Sequence, residues 1–268
     1  MNEVGYNEEF VKLELQYGVL KEQVAGQIEM YTHLVEAVGP RLKSDYMMAI
    51  GRYEYLVYEL EVDVNRWKRR FALRQQALNR GEAPEYAAIE RQLDREFEEY
   101  LAEIKGHLAE MKAARDMQNA PRLTEEETTA IRCRYLEAVK KLHPDINPGL
   151  PAGSVDLWNQ IQAAYGEKDW EKVRFLVGLV DSVVSGAVKF EASVDGMAAL
   201  REACDRLRTR SRELAERTAR LKAAVPFTYE ALLTDEARVR ERQEELTARR
   251  RMLEKMIEEY EEVWNHGK

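Results

Sequence analysis

A chain of 268 residues exceeds a typical single domain, so we expect either one compact module with long helical segments or two small domains. Charged residues make up 34% of the chain and hydrophobic residues 45%, with 14 glycines and 7 prolines, a balance typical of long amphipathic helices; it predicts an all-α protein. The net charge of -8 argues against a general nucleic-acid-binding protein, because contact with phosphates needs a basic face.

Cysteine usage and the first residues indicate the compartment. Cys133 and Cys204 have no further cysteine or histidine at metal-ligand spacing, so we expect neither a zinc site nor a disulfide framework, and a reducing cytoplasm fits. The stretch 1–10 has no apolar core and predicts no signal peptide. No later run approaches the length of a membrane span, so we expect a soluble protein without a membrane partner.

Three apolar stripes at helical spacing occupy the first 120 residues. The first begins at Phe10 and ends at Gly39-Pro40, which we expect to stop the helix. The second holds a heptad pattern from Tyr46 to Phe71, as a coiled coil requires. The third runs from Ile89 to Met111. Short connections predict an antiparallel bundle of long helices over 1–120.

The segment 121–181 has a different character. Thr124 with Glu127 three residues later is a capping box, and it predicts the start of a helix. Pro144 must end that helix, because the residue before a proline is biased out of the helical region. A second short helix follows, with Leu157 and Ile161 on its apolar face. The tripeptide His143-Pro144-Asp145 is therefore predicted at the tip of a helical hairpin, followed by a further helix that Asp169 caps.

This hairpin resembles helices two and three of the J domain of DnaJ-type co-chaperones. The resemblance covers roughly fifty residues. It is carried by Tyr135, Lys140-Lys141, His143-Pro144-Asp145, Asn147-Pro148 and the stretch 161–165. The layout, with coiled coils on both sides of the hairpin, is also similar to that of J-domain proteins of Gram-positive bacteria.

The resemblance implies a non-enzymatic adaptor that binds a DnaK-type heat-shock ATPase and stimulates its ATP hydrolysis, without a cofactor or metal of its own. The partner-binding residues that it implies are His143, Pro144, Asp145, Lys140, Lys141, Arg132 and Tyr135. An ionised aspartate in the loop can pair with a partner arginine, and a basic helix can steer toward an acidic surface.

The chain departs from the family's pattern in four ways. The family's first short helix has no match, Ala138 stands where leucine is usual, Glu137 stands where a base is frequent, and no Gly/Phe-rich segment or Cys-x-x-Cys motif follows. These departures keep an alternative open, in which the chain is a coiled-coil scaffold with a degenerate J domain. A client protein or a second copy of the chain is then expected on the coiled coils.

The remaining C-terminal part repeats the helical style. We expect a linker at 182–196 and an antiparallel helical hairpin over 197–268, broken at Pro226-Phe227-Thr228. Its many arginines are interpreted as a solvated coiled-coil face. A nucleic-acid-binding stripe is the weaker alternative, because no aromatic side chains alternate with the bases.

Overall fold

The computed structural model describes residues 3–120, 123–183 and 190–266, and these contain helices and no strand, so the predicted all-α fold is confirmed. Of the predicted linker 182–196, residues 184–189 lie outside the described residues, and residues 182–183 and 194–196 are helical. The α-helices are α1 Glu3–His33, α2 Gly39–Tyr46, α3 Arg52–Asn79, α4 Tyr86–Glu96, α5 Glu98–Asn119, α6 Glu125–Leu142, α7 Ala152–Gly166, α8 Trp170–Gly178, α9 Val180–Val183, α10 Val194–Lys222, α11 Glu230–Leu233 and α12 Glu236–His266.

The predicted helix stop at Gly39-Pro40 is wrong. Helical backbone passes through this dipeptide: a π-helical turn, Leu34–Val38, leads directly into α2, and Gly39 itself has right-handed helical angles. Proline is tolerated in the first turn of a helix. In the interior of a regular α-helix it removes a backbone hydrogen bond, and its ring clashes with the carbonyl four residues earlier. The wider π turn changes the spacing just before Pro40, and a second π turn, Met47–Gly51, joins α2 to α3.

The chain divides into two compact units. Unit 1 contains Met1–Pro40 and Pro121–Phe227, and unit 2 contains Arg41–Ala120 and Thr228–Lys268. This grouping differs from the predicted division at residues 120 and 197. It differs because the two C-terminal helices, predicted to pair with each other, pack on N-terminal helices instead.

In unit 1, α10 packs along α1 in a parallel direction. The Cys204 thiol approaches the Leu13 carbonyl at 3.9 Å, and Gln23 donates a hydrogen bond to the Ser211 hydroxyl at 2.8 Å, so residue numbers rise together on both helices. Leu207 and Leu214 of α10 join the core that α1 shares with the hairpin. The apolar stripe of α10 is therefore covered by α1.

In unit 2, α3 lies between two partners. Arg242 and Arg249 of α12 pair with Glu54 and Glu61 of α3 at 3.1 and 3.0 Å, one heptad apart on both helices, so α3 and α12 run parallel. The predicted antiparallel hairpin over 197–268 is thus wrong. Helices α4 and α5, which are separated at Phe97, run antiparallel to α3, as the bundle prediction required of them. The bundle predicted over 1–120 is wrong in its first helix, because α1 belongs to unit 1.

Candidate partner-binding site

Helix α6 begins and ends where the sequence predicts. The Thr124 hydroxyl accepts a hydrogen bond from the Glu127 amide at 3.1 Å, and the Glu127 carboxylate accepts one from the Thr124 amide at 2.9 Å, which completes the capping box. At the other end the His143 amide donates to the Val139 carbonyl at 3.0 Å, while the backbone of His143 is extended. The extended backbone of His143 is the conformation expected of a residue that precedes a proline, here Pro144.

The loop after α6 is tied back to the helix. The Asn147 side-chain amide donates to the Lys140 carbonyl at 2.7 Å, and the Asn147 backbone amide donates to the His143 carbonyl at 2.9 Å. Ile146 is buried in the hairpin core. These contacts satisfy carbonyls that the end of α6 would otherwise leave open, so the loop between α6 and α7 has a defined form.

The side chain of His143 is partly buried in the hairpin. Its ring meets the Trp158 ring edge-on at 5.2 Å, and its Nδ1 accepts a hydrogen bond from the Asp145 amide at 3.1 Å. Burial lowers the pKa of His143, with the Arg210 charge acting in the same direction and the Asp145 charge opposing both. The imidazole is therefore neutral near pH 7, as its acceptor role at Nδ1 requires.

Asp145 carries the negative charge of the loop. Its Oδ2 lies 2.5 Å from Nε of Arg210 on α10, and 3.9 Å from Nδ1 of His143. Both Asp145 and Arg210 keep about a third of their side chains in solvent. Among the described residues Arg210 Nε has no hydrogen-bond partner, so this contact is a close ion pair, and a terminal nitrogen of Arg210 also donates to Glu213 at 3.2 Å.

The two lysines at the end of α6 are paired with carboxylates of unit 1. Nζ of Lys140 lies 2.8 Å from Glu22 of α1 and 3.0 Å from Glu137, and these hydrogen bonds raise the pKa of Lys140. Lys141 pairs with Asp181. The positive charge predicted at this end of α6 is therefore balanced by carboxylates of the same chain, whereas Arg134 is exposed.

Arg132 makes a stronger contact than the two lysines. Its Nε and a terminal nitrogen donate to the two oxygens of Glu29 on α1 at 2.6 and 2.9 Å, a bidentate pair. The Glu29 side chain is only 8% exposed. This pair fixes α1 against α6, and the Arg132 charge is already used in the fold.

Tyr135 belongs to the core, and its predicted role in partner contact needs correction. It is completely buried, with its ring centroid 4.4 Å from that of Tyr165, and burial raises its pKa to about 12. A side chain without exposed surface cannot touch a partner. Ala138, where the family usually has leucine, is also completely buried.

The structure brings in residues that the motif did not indicate. Arg210, Glu22, Glu29 and Asp181 pair with the predicted site residues, and Lys21 donates to the Asn147 side-chain oxygen at 3.0 Å. The sequence analysis interpreted the α10 arginines as a solvated face. No local pattern relates them to a loop 65 residues away along the chain.

Within residues 3–120, 123–183 and 190–266, no group of three or more His, Cys, Asp or Glu side chains is arranged to hold a metal ion. None of the helices there combines the length and the apolar character needed to cross a membrane.

Comparison with known proteins assigns no family. No family model matches the chain, and no solved structure matches it. A stretch of 94 residues is 31% identical to the DNA-directed RNA polymerase subunit beta' of Bifidobacterium adolescentis. That stretch is 31% of this chain, and it spans 7% of the length of the polymerase subunit.

Proposed function

We propose that this chain is a non-enzymatic, cytoplasmic co-chaperone-like adaptor that binds a DnaK-type heat-shock ATPase and stimulates its ATP hydrolysis. The observation that carries the proposal is the loop His143-Pro144-Asp145, held between α6 and α7 with the Asp145 carboxylate paired to an arginine. The order of the loop residues and the two lysines before them are the features on which the J-domain resemblance rests. Recognition of an arginine is the chemistry that the resemblance assigns to this aspartate.

In this proposal the long helices hold a client protein or a second copy of the chain. Val11, Leu15 and Val19 form an apolar stripe on α1, each with about half or more of its surface exposed. Apolar side chains in such a row are suited to contact with another helix.

The test is steady-state ATP hydrolysis by a DnaK-type ATPase from the same source, with the intact chain and with His143→Gln. We expect stimulation by the intact chain and its loss in the variant, because glutamine has no aromatic ring to contact Trp158 and its acceptor oxygen lies one bond further from Cβ than Nδ1 does. His266→Gln, at the exposed end of α12, is the matched control and should stimulate as the intact chain does. Equal stimulation by all three, or none from folded proteins, contradicts the proposal.

A second function is favoured by the pairing of the site within unit 1. If the contacts of Asp145, Lys140 and Arg132 with α10 and α1 are permanent, the hairpin is a structural part of a coiled-coil scaffold. The scaffold would bind no DnaK-type ATPase, with or without nucleotide. Size-exclusion chromatography of the two proteins together separates the two functions, because only the first predicts a complex.

A further inference from the structure

We infer that α10 and α1 hold the loop and the end of α6 in a self-occupied state, which a partner must displace before it can bind. This inference rests on the proposed function. It concerns the regulation of the same site: Arg210 occupies the Asp145 carboxylate, and Glu22 occupies the Lys140 ammonium group.

The first step is the chemistry at Asp145. Arg210 approaches Oδ2 at 2.5 Å, and the other Asp145 contacts are with His143 of its own loop. A partner arginine needs the same carboxylate oxygens, since a guanidinium binds a carboxylate through close, directed hydrogen bonds. Arg210 therefore competes with a partner arginine for the Asp145 carboxylate.

The second step is the chemistry at the end of α6. Glu22 of α1 supplies a carboxylate to Lys140, and the neighbouring Lys21 holds Asn147, the residue that ties the loop to α6. An acidic partner surface would need to replace Glu22 at Lys140. The two helices thus supply the charges that a complementary partner would present: an arginine for the aspartate and a carboxylate for the lysine.

The ion pairs at Asp145 and Lys140 can break while the helices of unit 1 stay packed. A cavity of about 660 Å³ lies between the loop and α10, lined by Pro144, Asp145, Pro148 and Arg210 among others, so the two surfaces are not closely packed there. Both pairs are partly exposed: the exposed fraction of the side chain is 64% for Glu22 and 25% for Lys140, and 35% for Asp145 and 27% for Arg210. Exposed ion pairs contribute little to stability, whereas the buried Arg132–Glu29 pair and the leucines of α10 hold the helices in place. The pairs at Asp145 and Lys140 can therefore exchange without unfolding unit 1.

The experiment is a titration of the intact full chain and its variants into a DnaK-type ATPase, with half-maximal stimulation of ATP hydrolysis as the readout. Arg210→Ala and Glu22→Gln should each lower the half-maximal concentration about threefold, the size expected of one solvent-exposed ion pair. The double variant should lower it about tenfold. The matched controls are Arg208→Ala on α10, which pairs with Asp205 of the same helix, and Glu14→Gln on α1. Neither control should change the titration.

Each outcome decides between the two claims. A lower half-maximal concentration in the variants, lost again when His143→Gln is added, supports the self-occupied state. Stimulation that depends on His143 but is the same in Arg210→Ala, Glu22→Gln and the intact chain overturns the inference and leaves the proposed function standing. If no form stimulates hydrolysis, although circular dichroism shows each one folded, the proposed function fails and the inference fails with it. Arg210→Lys keeps the charge, and an intermediate titration with it excludes a folding defect as the cause.

Discussion

Replacing either member of the Arg132–Glu29 pair should destabilise unit 1, and the two replacements should differ. Arg132→Met leaves the carboxylate of Glu29, which is 8% exposed, without its cation, and breaking a buried pair in this way costs about 3–5 kcal/mol. Glu29→Gln leaves the guanidinium of Arg132, which is 32% exposed and keeps an amide oxygen as acceptor, so we expect a loss of about 1–2 kcal/mol. The double variant should lose less than the sum, because no buried charge remains.

Native-state hydrogen exchange of the α6 amides as a function of urea is the assay, since it reports on unit 1 without assuming that the whole chain unfolds in one step. Arg134→Met, an exposed arginine on the same helix, is the control and should change the free energy of unfolding by no more than about 0.5 kcal/mol. Equal losses for Arg132→Met and Glu29→Gln, or losses no larger than the control, would refute the reasoning that the burial of Glu29 sets the magnitude.

Three further predictions concern the core and the histidines. Leu253→Asp places a carboxylate in the α3–α12 core, where Leu253 is 2% exposed, so unit 2 should lose more than about 3 kcal/mol while the α6 amides stay protected in hydrogen exchange. Ala138→Leu introduces a larger side chain where Ala138 has no exposed surface, so overpacking should lower the free energy of unfolding of unit 1 by about 1–3 kcal/mol, measured by urea titration. Burial lowers the pKa of both His143 and His33, so the unfolded chain binds protons before the folded chain does. The melting temperature of unit 1 should therefore fall as pH drops below about 6.5, and less so in His143→Gln, as thermal unfolding at a series of pH values will show.

The hairpin could be predicted from the sequence because its signals are local. The capping box at Thr124, the proline after His143 and the cap at Asp169 each act within four residues, and the structure places the ends of α6 and the start of α8 accordingly. The buried positions of α7, such as Ile161, followed from helical spacing alone. Local rules of this kind do not depend on what the hairpin packs against.

The pairing of the long helices could not be predicted in the same way. An apolar stripe indicates that a helix packs against a partner but does not specify the partner, and helices adjacent in sequence were expected to pair. In the structure, Glu54 pairs with Arg242, 188 residues away, and α10 packs on α1. The helix stop at Gly39-Pro40 was wrongly predicted for a different reason: a π turn before the proline removes the conflict that a regular helix would have.

The ion pairs at the candidate site were not predicted because the charge of a residue does not specify which opposite charge it will contact. Arg210 stands among many α10 bases, and its sequence neighbours do not distinguish it from Arg208. Only the parallel packing of α1 and α10 brings it to Asp145, which makes this contact a consequence of the tertiary fold.

Whether the loop acts on a DnaK-type ATPase can be measured by single-turnover hydrolysis of bound ATP with the intact chain at saturating concentration and with Asp145→Asn. Asparagine keeps the size of the side chain and removes the charge that an arginine recognises. We expect faster hydrolysis with the intact chain and no acceleration with Asp145→Asn. Acceleration that survives the substitution, or none with the intact folded chain, would show that the loop has no such role.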